Sequence, residues 1–290
     1  MDYIIHIMVL ACLYATLATS LDLLVGHTGL LSLAHAAFFS LGAYTSALLA
    51  VKLGFSFLGA MLVGILVAAG VSLLVSLPSL RLYGDYFIIS TFAFQIVLLN
   101  VANNWVDLTG GPLGIPGIPR PVLLGWVIQS RLAFLLLAGV LAGAAYFIVW
   151  RMVTSPFGRI LNAIREDEVF VEALGKRTVQ FKVVAFAVSG GLAASAGAVY
   201  AHYMSYIDPT NFTVMESILI LSMVIIGGAG SPWGPLVGAT VLVTLPEILR
   251  FVGFPSMVAA NMRQITYGAL LVIMMIFRPR GLVGRYGFGR

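Results

Sequence analysis

Runs of roughly twenty apolar residues recur along almost the whole chain, and they leave it one environment in which to fold. Nine such windows stand at 3–20, 33–51, 57–77, 86–102, 132–150, 181–203, 215–230, 234–251 and 262–277. About 20 apolar residues cross the hydrocarbon core of a bilayer as a helix. A helix is required because lipid offers backbone N–H and C=O groups no partner. Charged residues make up 9% of the chain against 60% hydrophobic, too few to clothe a soluble surface. The expected fold class is therefore all-α, a polytopic membrane helix bundle of about eight to nine spans. Its 290 residues fill a single transmembrane domain, 1–290, with no space for an additional soluble domain of roughly 100 residues. The window at 215–230 is short enough to suggest a broken or partial crossing. No Lys or Arg precedes Lys52, so the first window reads as a retained span and not as a cleaved signal.

The net charge of +5 does not point to nucleic acid, because the basic residues sit at the ends of apolar windows and form no stripe with interleaved aromatics. They set orientation instead. Eleven of the sixteen basic residues, Arg81, Arg151, Arg159, Arg165, Lys176, Arg177, Lys182, Arg278, Arg280, Arg285 and Arg290, fall on one side; Lys52, Arg120, Arg131, Arg250 and Arg263 fall on the other. Short loops rich in Lys and Arg stay cytoplasmic, which puts the C-terminus and the polar stretch 155–182 inside the cell.

That stretch, within the loop 151–182, is the longest polar segment. The sequence predicts one helix from Pro156 to Leu174, with Ser155 as its cap, Pro156 in the first turn and Gly175 as its stop. Ile160, Ile164, Val171 and Leu174 share one face, with Arg159, Arg165, Glu166, Glu168 and Glu172 largely off it. Glu168 and Glu172 are like charges four apart, costing an isolated helix about 0.2–0.5 kcal/mol, so a nearby basic group is expected.

Polar residues at membrane depth are Asp22, His27, His35, Gln95, Asn100, His202, Glu216 and Glu247. Of these, His35, Gln95, Asn100 and Glu216 are the candidates for a translocation path. The plainer alternative is that they bond neighbouring helices. Gly and Pro in 109–119 make a loop of rigid turns on the outer side. Gly-rich stretches at 25–32 and 226–235 fall in the two halves of the chain, as interrupted helices of a duplicated transporter bundle would. Gly190, Ala194 and Ala198, with Ala193, Gly197 and Ala201, give small-residue ridges for close helix packing.

Catalytic chemistry is not written in the chain. A phosphate-binding loop needs Gly-x-x-x-x-Gly-Lys-Ser/Thr, and the nearest string has Phe170 at the first Gly position and Arg177 at the hydroxyl position. No Gly-x-Ser-x-Gly or His-Glu-x-x-His occurs. Cys12 is the single cysteine, leaving no internal disulfide and no thiol pair for a metal. The expectation is no enzyme, no catalytic residue, no metal site and no resident cofactor.

The segment Ile164-Arg165-Glu166-Asp167-Glu168 with Glu172-Ala173-Leu174-Gly175 resembles the coupling loop of an ABC importer permease. The stretches 29–39, 80–87, 108–115 and 227–235 narrow the likeness, and the chain resembles the M-type permease family of the high-affinity branched-chain amino acid transporters across nearly its whole length. The resemblance implies a subunit of the bacterial inner membrane, with the short cytoplasmic helix docking on an ATPase. Carried over by position, Arg165, Glu166, Asp167, Glu168, Glu172, Ala173, Leu174 and Gly175 are the coupling residues. It also implies a second homologous permease subunit, two cytoplasmic ATP-binding subunits that use the ATP, and a periplasmic substrate-binding protein. The substrate would be a branched-chain or related amino acid. An ion-coupled secondary transporter of small polar solutes is the alternative reading.

Overall fold

The structure, a computed structural model, describes residues 2–80, 84–123, 126–251, 268–269, 271–274, 276–278 and 281–284. It is helical over most of each apolar window that it describes. The order is α1 (Asp2–Thr28), α2 (His35–Leu53), α3 (Phe57–Ser79), α4 (Asp85–Asn104), α5 (Val106–Thr109), α6 (Arg131–Thr154), α7 (Pro156–Glu166), α8 (Glu168–Ala173), α9 (Thr178–Met204), α10 (Val214–Gly227) and α11 (Gly234–Phe251). Four two-residue strands, β1 (Ile115–Pro116), β2 (Val122–Leu123), β3 (Trp126–Val127) and β4 (Tyr206–Ile207), lie in the loops.

Among the described residues, seven helices are long and apolar enough to cross a membrane, and the apolar part of α11, Gly234–Leu245, is a shorter eighth. Window 262–277 lies mostly outside the described residues, as do Arg81, Arg263, Arg280, Arg285, Arg290 and the side chains of Glu247 and Arg250. The first span is longer than its window suggests. It runs to Thr28 because Asp22 and His27 are buried inside the protein, where partners replace water.

The centre of the bundle is α1, α2 and α9, with α3, α4 and α6 exposing more of their apolar surface outward. The small-residue ridges expected on α9 bring the backbones together. A Cβ at Gly197 would run into the Phe39 carbonyl of α2, and one at Gly42 would run into Ala194. Larger residues would force these helices apart, which is why so close an approach coincides with Gly and Ala.

Two helices do not start at the bundle's ends. After α1 ends, Gly29 turns the chain with φ +73°, and residues 29–34 run back inward without regular structure. They deliver His35, the first residue of α2, to the side of Ser20 on α1 (Nε2 to Oγ, 2.7 Å). Ser20 lies eight residues before Thr28, so α2 begins about 12 Å inside the end of α1. From the opposite end, Asp208 caps a 3-10 turn, Pro209–Phe212, that leads inward to α10. The Phe212 carbonyl there meets Gln95 in the middle of α4. The window at 215–230 is thus a helix that starts part-way in, and with the 3-10 turn before it Pro209–Gly227 is long and apolar enough to cross.

At one end of the bundle β1 pairs antiparallel with β4, Ile115 opposite Ile207, and ties the loop 105–130 to the end of α9. His202 joins the same fastening: its Nε2 is 2.9 Å from Ser46 Oγ and its Nδ1 2.7 Å from the Pro119 carbonyl. Lys52, Arg120 and Arg131 lie at this end. At the other end stand α7, α8 and the described residues after α11, where the Leu282 and Val283 N–H groups bond the Ile226 and Gly227 carbonyls.

Candidate functional site

The inward starts of α2 and α10 meet. The backbone N–H of Ala36, one of the unpaired donors of α2's first turn, bonds Ser217 Oγ of α10 at 2.9 Å. Ser217 Oγ in turn donates to Gln95 Oε1 over a long 3.5 Å, and Gln95 Nε2 donates to the Phe212 carbonyl at 2.8 Å. Thr91, one turn before Gln95 on α4, accepts from the Leu33 N–H at 3.2 Å. Ser189 of α9 donates to the Ser20 carbonyl at 2.6 Å. Ser20, His35, Thr91, Gln95, Ser189 and Ser217 are all almost fully buried. The result is a polar junction inside an apolar bundle, with two helix N-termini, each carrying partial positive charge, converging on it.

His35 and Gln95 therefore belong to one site, and Glu216 adjoins it from the first turn of α10, where it accepts a hydrogen bond from the Tyr14 hydroxyl. Asn100 does not. It lies five residues beyond Gln95, about 140° around the helix, and sits on the exposed face of α4. Two buried polar atoms at or near the junction have no hydrogen-bond partner among the described residues: His35 Nδ1 and the Tyr44 hydroxyl. Phe39, Tyr44, Tyr200 and Phe212 form an aromatic group beside them, with ring centroids 5.1–6.2 Å apart. Ser20, Thr91, Ser189 and Ser217 carry no signal in the sequence, where a lone Ser or Thr in a span is ordinary.

At the far end, the segment 156–174 is two helices and not the one that periodicity predicts. Asp167 adopts an extended conformation (φ −154°, ψ +100°), ends α7 and caps α8 by accepting from the Phe170 N–H at 2.9 Å. An Asp three residues before an N–H can satisfy an orphan donor, and this local bond outcompetes a continuous helix. The break also resets the phase of the apolar positions. Ile164 and Val171 point inward, while Leu174 is 65% exposed, joining Val169 at 76% and Phe170 at 61%. Ser155 precedes Pro156 as expected, but its hydroxyl donates back to the Met152 carbonyl at 2.6 Å and gives α7 no side-chain cap.

The charges of this segment are largely spent on holding it. Lys182 is the basic group that the acidic pair requires, 2.6 Å from Glu168 Oε1. Glu172 accepts from Thr178 Oγ1 at 2.6 Å and so fastens α8 to the start of α9. Arg165 donates to the Gly26 carbonyl, and its side chain lies against Gly29, so α7 grips the end of α1. Glu166 and Ala173 are exposed. Gly175 has φ +77° with open space where a Cβ would stand, the left-handed stop expected of it. Of the eight residues carried over by resemblance, five thus have internal structural tasks, while the large apolar side chains Val169 and Phe170 of α8 and Leu174 at its C-cap stay exposed.

The Gly-rich stretches also meet. The Gly230 N–H donates to Asp22 Oδ1 at 2.8 Å, and a Cβ at Gly26 would collide with the Gly230 nitrogen. Among the described residues no group of three or more His, Cys, Asp or Glu is placed to hold a metal ion.

Residues 3–276 match the family model described as branched-chain amino acid transport system / permease component. The chain is 35% identical to the high-affinity branched-chain amino acid transport system permease protein LivM of Escherichia coli K12, over 96% of this chain and 69% of the relative. It is 27% identical to the probable branched-chain amino acid transport permease protein LivM of Methanocaldococcus jannaschii, over 71% of this chain and 62% of that one. Likeness to the autoinducer 2 import system permease protein LsrC of Escherichia coli K12 / DH10B is 27% over 64% of this chain and 52% of the relative. No solved structure matches the chain significantly. With its bundle of apolar helices and a match across nearly its full length, the chain is a multi-pass membrane protein that belongs to the family of branched-chain amino acid transport system permease components, transport proteins and not enzymes.

Proposed function

We propose that the chain is the membrane-spanning permease subunit of an ATP-driven, binding-protein-dependent importer for branched-chain or related amino acids. The observation that carries this reading is the pairing of a buried polar junction with a rigid, apolar outward surface on α8, joined by direct contacts. α8 continues α7, Arg165 of α7 holds the end of α1, and Ser20 of α1 bonds His35 at the junction. Coupling between distant sites needs a contiguous physical connection of this kind. The partners are a second homologous permease subunit, two cytoplasmic ATP-binding subunits, one of them seated on α8, and a periplasmic substrate-binding protein at the β1–β4 end. The greater identity and coverage with LivM than with LsrC support an amino-acid substrate over autoinducer 2.

The test is reconstitution. The purified chain in liposomes, alone, is expected neither to hydrolyse ATP nor to accumulate leucine. Adding the second permease, the ATPases and the binding protein is expected to give ATP-dependent uptake. Accumulation by the chain alone under a proton or sodium gradient would overturn the reading in favour of an ion-coupled carrier.

Orientation follows the basic residues, with α7, α8 and the C-terminus cytoplasmic. In a Cys12→Ser background, cysteines introduced at Glu166 and Arg285 are expected to react with an impermeant maleimide only from the cytoplasmic side. Those at Leu113 and Thr210 should react only from outside. Reaction at Leu113 from the cytoplasm would invert the topology.

A further inference from the structure

A second polar site lies apart from the junction, at the α7 end of the bundle. A cavity of about 250 Å³ opens there between α1, α6, α7 and the turn joining α10 to α11. Its polar and aromatic walls are Thr19, Asp22 and His27 of α1, Tyr146 and Trp150 of α6, and Asn162 of α7. Thr19 and Asp22 are each 3% exposed. The Thr19 Oγ1 has no hydrogen-bond partner among the described residues. One Asp22 oxygen takes the Gly230 N–H, while the other lies 3.8 Å from His27 Nε2. His27 Nδ1 is itself turned to Asn162 Oδ1 at 3.0 Å. Arg165, the cation of the adjoining α7 turn, donates to the Gly26 carbonyl.

A buried carboxylate has about four acceptor sites; Asp22 takes the Gly230 N–H on one oxygen, faces His27 at 3.8 Å with the other and feels the Arg165 charge from the adjoining turn, so acceptor sites remain on the cavity side beside the unpartnered Thr19 hydroxyl. Asp22 is the one Asp, Glu, Lys or Arg among the described residues lining the cavity. A group with several N–H donors can serve Asp22 and the Thr19 hydroxyl together. Tyr146 and Trp150 line the same cavity, and ring quadrupoles attract ammonium groups.

We propose that this cavity binds the primary ammonium headgroup of a membrane lipid such as phosphatidylethanolamine. Depth and access identify the source. Asp22 lies six residues from the end of α1, about 9 Å along the helix, close to where the span leaves the bilayer. Tyr146 and Trp150 sit near the same boundary, the level at which such rings meet headgroups. Trp150 is 45% exposed and Thr154 is exposed at the cavity's edge, on a helix that turns most of its surface outward. A primary ammonium offers three donors to Asp22 and Thr19, whereas the methyl groups of a choline offer none.

The test uses the purified full-length chain in detergent, with phosphatidylethanolamine and phosphatidylcholine of identical acyl chains at equal concentration, read by native mass spectrometry. Wild type is expected to retain the ethanolamine lipid at least tenfold over the choline lipid. Asp22→Asn keeps an oxygen for the Gly230 N–H while removing the charge, and should reduce that preference to within twofold. Thr19→Val and Trp150→Leu give independent variants should Asp22→Asn fold poorly, and each should weaken the preference severalfold. Equal retention of the two lipids by wild type, or a preference untouched by Thr19→Val and Trp150→Leu, would overturn the proposal. Free leucine and ethanolamine serve as the soluble arm. An Asp22-dependent rise in thermal midpoint with leucine, without one for the lipid, would assign the cavity to a soluble amine and sink the lipid reading.

Discussion

Phe170→Asp combined with Leu174→Asp is expected to lower uptake and binding-protein-stimulated ATP hydrolysis by at least tenfold in the reconstituted complex, while leaving the chain's amount in the membrane unchanged. Phe170 of α8 and Leu174 at its C-cap are both more than half exposed, alongside Val169. Three large apolar side chains on so short a helix form a patch that isolated solvent-facing residues do not. α8 is held from both ends, by the Asp167 cap, the Glu168–Lys182 pair and the Glu172–Thr178 bond, so it presents that patch rigidly. Large apolar anchors at a protein interface lose about 2–4 kcal/mol each when truncated, equivalent to roughly thirtyfold to a thousandfold in affinity. Exposed substitutions away from special features change folding stability by only about 0.5 kcal/mol, so docking and folding separate cleanly.

Two comparison variants sharpen that experiment. Gly175→Val meets no neighbouring atom and strains only the backbone at φ +77°, about 1–2 kcal/mol, so it should uncouple less severely than the loss of the patch. Glu172→Lys removes the acceptor for Thr178 and loosens the α8–α9 join, so its effect should include a measurable loss of stability. Wild-type uptake by the Phe170/Leu174 variant would mean that α8 is a solvated loop and carries no docking role.

Much of the architecture is legible in the sequence because membrane helices answer to length and hydropathy alone. Eight of the nine windows lie on helices at nearly the expected positions, and the small residues of α9 mark its close packing on α2. What hydropathy cannot show is depth. Residues 29–34 and 208–213 look like ordinary connectors, and only their tertiary bonds, His35 with Ser20 and Gln95 with Phe212, reveal that they run inward. Asn100 lies away from the junction because five residues along a helix turn the face by about 140°, whereas Thr91, four before Gln95, keeps it. The split at Asp167 was also available, as Asp is a strong N-cap, but the surrounding residues fit a continuous helix equally well and the competition is decided locally.

The junction itself is where a substitution should separate transport from stability. Gln95→Met is expected to reduce uptake at least tenfold while binding-protein-stimulated ATP hydrolysis stays within about twofold of wild type. Met matches Gln in length and keeps the space filled, but it makes neither the bond to the Phe212 carbonyl nor the contact with Ser217. Leaving one buried carbonyl unpaired costs about 1–3 kcal/mol, so the thermal midpoint should fall by several degrees without abolishing the fold. If the junction only braces helices, uptake will track the fraction of folded protein and any remaining molecules will transport normally. If the solute passes here, the folded fraction will be intact and still hydrolyse ATP, yet carry little. His35→Gln is the control on the other side of the site. Its amide can still reach toward Ser20 while lacking the second ring nitrogen, Nδ1, which has no partner among the described residues. A fall in uptake for His35→Gln with an unchanged thermal midpoint would assign Nδ1 to the passing solute, because no bond inside the protein is lost with it. Normal uptake per folded molecule in both variants would place the path elsewhere in the bundle.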